Sequence, residues 1–464
     1  MARTASGADD APVMTFAGTP FPVHSDAQLV LGRLWAAGHA AYLVGGAVRD
    51  ALLGRETHDW DVATDALPET ILGLFPEGEY ENRFGTVLAH GVEVTTFRRD
   101  QHYPDHRRPA SVTFTDSVVE DLVRRDFTVN AIAWGRGAGG HPDDAGFVDP
   151  SGGRGDLERR LLRAVGEPGA RFDEDALRLL RAARIASAVG LAIEPATLAA
   201  MRHHADDVRW VSGERVGIEL RRMVEAEVPS RAFRIMAETG LLRPVFPELA
   251  DQIGIPQDKL PGQDCFDHTM LTLDAAAVLD PGDERMLLCA LLHDSGKPAT
   301  MDRGHFHGHE AVGAVFAEAL LGRVAYPRSE ARVIGRIIRG HMFAYSPSWT
   351  DGAVRRFMRR TGPDIVDEVL RLRRADNVGS GWPPDDGGVD ELRSRIAAQR
   401  AAGVPLDVAD LAIDGTDLMT ELGRPGGPWL GRLLERLLDS VVADPRRNTR
   451  HQLLIDARAW AESP

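Results

Sequence analysis

Short apolar runs alternate with helical periodicity over the first third of the chain, and helical periodicity fills the rest. Strand-like segments are read at Ala41–Val44, Val87–His90, Val92–Phe97 and Ser111–Phe114, with helical stretches between them. The pattern predicts an α+β head. Gly135–Gly155 is dense in Gly, Pro and Asp and predicts loops around a short strand at Phe147–Asp149. From Asp156 onward the spacing predicts helices, among them Glu174–Val189, Pro195–His204, Glu214–Glu225 and Ser230–Thr239. Pro247–Gly262 reads as a connector, and a histidine-bearing helical region runs from about Asp267 to Asn377. Gly379–Gly388 has the composition of a linker, and Leu430–Val442 is an amphipathic run in a helical tail.

One segment of the head carries chemistry. The run ending at Val44 reads as a strand, Gly45-Gly46 as a turn, Ala47–Leu53 as a helix start, and Asp59-Trp60-Asp61-Val62 follows shortly after. Taken singly, a Gly-Gly pair is a turn and an Asp-x-Asp is solvated surface. Together they say more. Residues i and i+2 of a strand project to one face, so Asp59 and Asp61 are expected to point into one site. Neighbouring carboxylates repel unless a cation lies between them, and hard oxygen ligands suit Mg²⁺. Backbone N–H groups at the glycine turn, with Arg49, suit a phosphate. A phosphate grip beside a divalent cation points to nucleotide chemistry. Glu93 shares a strand face with Thr95 and is a candidate third carboxylate, a place that an ordinary surface glutamate fills equally well.

Asp175, Arg178 and Arg181 advance by three, which on one helix makes a stripe. An i,i+3 ion-pair ladder accounts for it at a few tenths of a kcal/mol per pair. A second account predicts selectivity. Cytosine and adenine each present an amine donor beside a ring acceptor, which a carboxylate and a guanidinium match. Guanine and uracil present the reverse order, and burying that mismatch costs kilocalories.

Composition narrows the class. The chain has 464 residues, 43% apolar and 27% charged, enough for about two to four globular domains. No apolar run approaches the length of a membrane span, and no secretory signal pattern opens the chain. Residues 1–25 read as a disordered leader. Cys265 and Cys289 are the only cysteines, which fits a reducing cytoplasm rather than a disulfide framework. The net charge of −15 speaks against a broad nucleic-acid surface, although residues 154–243 hold sixteen arginines against fourteen acidic residues. Only Lys259 and Lys297 are lysines, a bias that a GC-rich codon habit would also produce.

The segment Leu43–Asp50 with Asp59–Val62 resembles the signature of class II nucleotidyltransferases, the family of bacterial CCA-adding enzymes and poly(A) polymerases, whose head belongs with the DNA polymerase beta superfamily. The resemblance implies that Gly46 and Arg49 contact a triphosphate and that Asp59 and Asp61 hold two Mg²⁺ ions. Glu120–Ala131 resembles the family's second motif, which places Arg125 and Asp126 for ribose and phosphate contacts. Phe172–Arg184 matches its Glu-Asp-x-x-Arg motif, in which Asp175 and Arg178 read the base. Arg178, Arg181 and Arg184 are further candidates for the triphosphate. Asn82–Val87 and the polar loop Arg98–Ala110 look more like the CCA-adding branch than the poly(A) branch. Leu291–Pro298 resembles the HD phosphohydrolase superfamily. That resemblance implies a divalent ion, of unspecified identity, on His268, His293, Asp294 and Asp376, with His309 and His341 completing a second site.

The sequence thus predicts a polymerase beta-type head (26–155), a helical neck and body that recognises the base (156–262), an HD metal-dependent phosphohydrolase domain (263–380) and a helical tRNA-binding tail (381–464). The expected activity is template-independent CCA addition to tRNA from CTP and ATP, in the cytoplasm, with an HD phosphohydrolase activity as an addition. No membrane and no obligate protein partner are expected. The alternatives are a poly(A) polymerase and an HD hydrolase carrying a non-catalytic RNA-binding head.

Overall fold

The computed structural model describes residues 14–16, 19–21, 23–57, 59–82, 85–101, 111–141, 144–257 and 259–461. The chain folds as two compact units, Met1–Glu219 with Arg234–Val245 and Leu220–Phe233 with Phe246–Pro464.

The first unit is built on a seven-stranded sheet in the order Gly146–Val148, Ala133–Arg136, Ala41–Val44, Asp61–Thr64, Val92–Thr96, Thr86–Ala89, Glu79–Asn82. Neighbours are antiparallel except Asp61–Thr64 and Val92–Thr96, which run parallel. Alternation fixes the register. Val92 and Val94 are buried, whereas Glu93 between them is exposed. The register pairs Asp61 with Val44 on one side and with Glu93 on the other, so both acids and the residue before Gly45 lie in one row across the sheet.

Four expectations need correction. The hydrogen-bonded strand begins at Asp61, so Asp59 is exposed ahead of it rather than two positions along it. The helix expected over Glu174–Val189 is divided. Pro168–Glu174 ends at Asp175, whose backbone is extended (φ −152°, ψ 105°), and a second helix, Leu177–Val189, follows. The Asp175 carboxylate accepts the Leu177 N–H at 3.0 Å, the local competition by which Asp interrupts helices. Asp175 and Arg178 therefore do not share a helical stripe. The leader expected to be disordered contains paired strands, Met14–Phe16 and Thr19–Phe21, built from the strand-favouring residues Thr and Phe. The remainder of that leader before Val23, and residues 102–110 of the polar loop expected over Arg98–Ala110, lie outside the described residues, whereas Arg98–Gln101 is a strand paired antiparallel with Ser111–Phe114.

The second unit is helical. Cys265–Leu279, His309–Arg323 and Val366–Gly379 carry His268, His309 and Asp376, while His293 with Asp294 and His341 lie just past the C-terminal ends of Glu284–Leu292 and Arg328–Gly340. The fourth correction concerns Gly379–Gly388. This segment is not a loose linker but a set of turns, pinned by Asn377 Nδ2 donating to the carbonyls of Pro384 (3.1 Å) and Asp386 (2.9 Å). Gly, Pro and Asp favour tight turns and flexible joints alike, so composition does not separate the two. Beyond it, Pro428–Ala443 buries Leu433, Leu437, Leu438, Val441 and Val442 against Leu418, Leu453 and Ala457. Among the described residues, no helix is long and apolar enough to cross a membrane.

Arg355 ties this last cluster down. It is buried, its Nε and Nη2 donate to the Val442 (2.6 Å) and Ala443 (2.8 Å) carbonyls, and its Nη1 donates to Gln399 Oε1 (2.8 Å). Those carbonyls belong to a helix C-terminus that has no partners of its own. Arg355→Ala is expected to cost about 3 kcal/mol and to speed hydrogen exchange across Pro428–Ala443. Arg355→Lys should recover only part of the loss, since an ammonium cannot span the three acceptors.

Candidate active site and metal centre

In the first unit the chain turns at Gly45, with φ +77°, between the strand Ala41–Val44 and the helix Gly46–Leu52. Glycine suits this turn on two counts. The conformation is left-handed, and a Cβ there would lie 3.3 Å from both Arg125 Nη1 and Asp61 Oδ2. The Arg125 guanidinium and the Asp61 carboxylate thus meet over a bare backbone turn. Arg125 Nη2 also donates to the buried Asp121 at 3.1 Å.

Asp61 is an acid under pressure. Its pKa is pushed up from 3.8 to about 7, first by burial and then by the Glu93 carboxylate, with Asp59 adding and Arg125 opposing. Asp59, Asp61 and Glu93 therefore form one electrostatic cluster although Asp59 lies off the strand. The donor set is all carboxylate oxygen with more negative charge than Arg125 offsets, which fits a divalent cation.

A chain of paired groups runs from the glycine turn toward the helix Leu177–Val189. The Arg49 fork is held by Asp50 (2.9 and 2.8 Å) and donates through Nη1 to Asn130 Oδ1 at 2.7 Å. Asn130 Nδ2 donates to Asp126 Oδ1 at 3.2 Å, and Arg181 donates to Asp126 Oδ2 at 2.7 Å from Nε and 2.6 Å from Nη2. Asp126, expected with Arg125 at ribose and phosphate, is buried and takes protein donors on both oxygens. Arg184 pairs with the buried Glu219 at 2.6 Å.

Asp175 and Arg178 are each held by partners within the protein. Arg215 grips Asp175 with two hydrogen bonds, at 3.1 and 2.6 Å. Arg178 donates to Glu174 (2.5 Å) and to the carbonyls of Arg171 (3.1 Å) and Arg124 (3.2 Å). Glu174 was in view within the motif. Arg215, forty residues away, gave no local signal.

In the second unit His268, His293, Asp294, His309, His341 and Asp376 are all buried and converge. Asp294 is the pivot. Its Oδ2 faces His268 Nε2 (3.4 Å) and His293 Nε2 (3.1 Å), and its Oδ1 faces His309 Nε2 (3.3 Å) and His341 Nε2 (3.9 Å). Asp376 Oδ1 lies 3.1 Å from His268 Nε2 and 4.0 Å from His293 Nε2. His293, His309 and His341 each donate Nδ1–H to a carbonyl three residues back, those of Ala290, Phe306 and Ile338. That leaves each Nε2 lone pair turned inward, as a metal requires. Burial lowers the pKa of His293 and takes His341 down to about 3, while cationic neighbours outweigh burial and hold Asp294 and Asp376 well below the usual carboxylate range. At His309 burial is outweighed by Asp294, which raises the pKa. Imidazole nitrogens and ionised carboxylates, with ligand atoms within 4.8 Å of one another in each of two groups that share Asp294, would suit divalent ions.

Known proteins resemble the chain along its length. The family model described as Poly A polymerase head domain matches residues 41–163, a polymerase A RNA-binding-site model residues 190–253, the HD domain model residues 265–380 and a tRNA nucleotidyltransferase domain 2 model residues 357–457. The CCA-adding enzyme of Geobacillus stearothermophilus is 32% identical over 440 residues, which cover 93% of this chain and 96% of that protein. That of Geobacillus kaustophilus is 33% identical over 443 residues, with coverage of 93% and 96%. Among solved structures, the Bacillus stearothermophilus CCA-adding enzyme in complex with CTP matches with a TM-score of 0.67 at 30% identity, covering 94% of this chain and 97% of that one.

The pKa of Asp61 sets a pH dependence. Folded Asp61 keeps its proton up to about pH 7, whereas an unfolded Asp releases it near 3.8. The native state binds more protons across that window, so its metal-free stability falls as pH rises through it. Asp61→Asn removes the effect. Without metal, at about pH 8, the variant is expected to be more stable than the parent by roughly 1–3 kcal/mol, and the gain should vanish near pH 4. Thermal unfolding at the two pH values checks this, and an equal gain at both would refute it.

Proposed function

The chain belongs to the family of CCA-adding enzymes, and we propose that it extends the 3′ end of tRNA by C, C and A, from CTP and ATP, without a nucleic-acid template. The observation that carries this reading is the row of acids Asp61 and Glu93, with Asp59, beside Arg125 at the bare Gly45 turn. Asp59 and Asp61 hold magnesium, with Glu93 as the third carboxylate. When bound, the metal lowers the cost of ionising the attacking 3′-hydroxyl and offsets charge on the triphosphate. The protein's own groups do the positioning. Gly46 and Arg49 contact the triphosphate and Arg125 helps to orient it, Arg49 with its fork already set by Asp50 and Asn130.

Asp175 and Arg178 choose the base. Asp175 accepts from the exocyclic amine, and Arg178 donates to the adjacent ring acceptor with N–H groups that Glu174 and the two carbonyls leave over. Arg181 and Arg184, tied to Asp126 and Glu219, fix the helix that presents Arg178. In this reading residues 26–155 are the head, 156–262 the neck and body, 263–380 the HD domain and 381–464 the tRNA-binding tail. The two free, buried cysteines suit a reducing cytoplasm.

Incubation of the full chain with tRNA lacking CCA, followed by sequencing of the ends, tests the reading. CTP alone should yield CC, both nucleotides should yield CCA, and Asp59→Ala with Asp61→Ala should lower incorporation at least a thousandfold. Asp175→Ala should admit UTP and GTP at least tenfold more readily relative to CTP. Long adenosine tails from ATP alone would point to a poly(A) polymerase instead.

A second activity is favoured by the cluster centred on Asp294, whose two ligand groups would hold divalent ions. Two divalent ions there suit hydrolysis of phosphomonoesters or 2′,3′-cyclic phosphates at RNA ends. Release of such phosphates by the metal-loaded chain should disappear in Asp294→Asn. Persistence of the release in that variant would remove the HD centre from the reaction.

A further inference from the structure

Arginine supplies all but two of the 54 Lys and Arg side chains, and both exceptions, Lys259 and Lys297, bring their ammonium groups to the same buried cluster. Lys297 Nζ lies 2.5 Å from Asp294 Oδ2 and 2.9 Å from Gln257 Oε1. Lys259 Nζ donates to Asp376 Oδ1 at 2.7 Å and to His268 Nε2 at 2.8 Å. A codon habit accounts for arginine elsewhere but not for the convergence of both lysines here. The chemistry does. An ammonium is a compact point charge that fits among ligand atoms about 3 Å apart, where a planar guanidinium fork does not.

The partners of Lys259 are telling. His268 and Asp376 are two of the four groups expected to hold the first divalent ion. The Nε2 lone pair of His268 cannot accept an ammonium N–H and bind a metal at the same time. Without metal, the carboxylates Asp294 and Asp376 face the two ammonium groups, and Asp376 Oδ2 also accepts from Arg373 Nη1 at 3.2 Å, so the cluster draws its counter-charge from the chain itself. Lys259 is also the lysine able to leave. Its side chain is 21% exposed, against 6% for Lys297, so its head group has a route to water.

We propose that Lys259 is an internal counter-cation that occupies the first metal position of the HD centre, and that its ammonium must withdraw before a divalent ion binds there. The proposal rests on reading the cluster as a metal centre. The lysine then sets a threshold: the site loads only where the divalent ion outcompetes a tethered monovalent one. Once displaced, the ammonium stays at the rim of the centre, where an anionic phosphate substrate would meet it.

The test uses the full chain carrying Asp59→Ala and Asp61→Ala, so that the head contributes no metal site. After removal of divalent ions, Mn²⁺ is titrated and the free ion is followed by electron paramagnetic resonance, with circular dichroism to verify folding. Lys259→Met and Lys259→Gln, added singly, should each bind Mn²⁺ at least tenfold more tightly than this parent. Asp294→Asn in the same parent should abolish binding. Equal or weaker binding by both Lys259 variants would overturn the counter-cation. Failure of the parent and every variant to bind Mn²⁺ would overturn the metal-centre reading itself, and the proposal with it.

Discussion

Carboxylates kept charged where water is scarce are the constraint around which both units are arranged. A buried acid must either find a cation or take up a proton. Asp294 and Asp376 find theirs within the chain, in Lys297, Lys259 and Arg373, and stay ionised. Asp61 has only Arg125 to set against burial and a neighbouring glutamate, and its proton affinity rises accordingly. The helical unit comes with its counter-charges built in. The sheet unit leaves its deficit for something outside the chain to fill, at the cost of a destabilised apoprotein.

The same accounting explains why arginine pairs dominate the region between the glycine turn and the helix Leu177–Val189. Arg49, Asn130, Asp126 and Arg181 form a continuous relay of hydrogen bonds, and Asp175–Arg215 and Arg184–Glu219 flank it. Removing one member leaves a buried charge without a partner, which is far more costly than never having placed the pair. The groups proposed to meet phosphate and base are thus held by paired side chains within the first unit, which favours their placement before any substrate arrives.

Much of this was legible in the sequence because period-2 alternation and glycine chemistry are local. The strand Ala41–Val44, the turn at Gly45 and the burial of Val92 and Val94 around Glu93 follow from neighbours in the chain. What failed also failed for local reasons. Asp175 reads as a helix position until its side chain is seen to cap Leu177, and Gly379–Gly388 reads as a joint until Asn377 is seen to pin it. The partners of the candidate residues were the hardest to see. Arg215 for Asp175 and Lys259 for Asp376 are long-range pairings with no periodic signature. The scarcity of lysine was visible from the start, but only the fold shows that both lysines converge.

Three of the four histidines of the HD centre, His293, His309 and His341, are aimed by carbonyls three residues behind them, on their own helices or turns. Each ring thus carries its bearing with it, independent of the side chains across the cluster. A lineage could exchange one imidazole for an inert residue and leave the remaining rings correctly trained. Such a centre can be dismantled or rebuilt one ligand at a time over evolutionary history, without passing through an unfolded intermediate architecture.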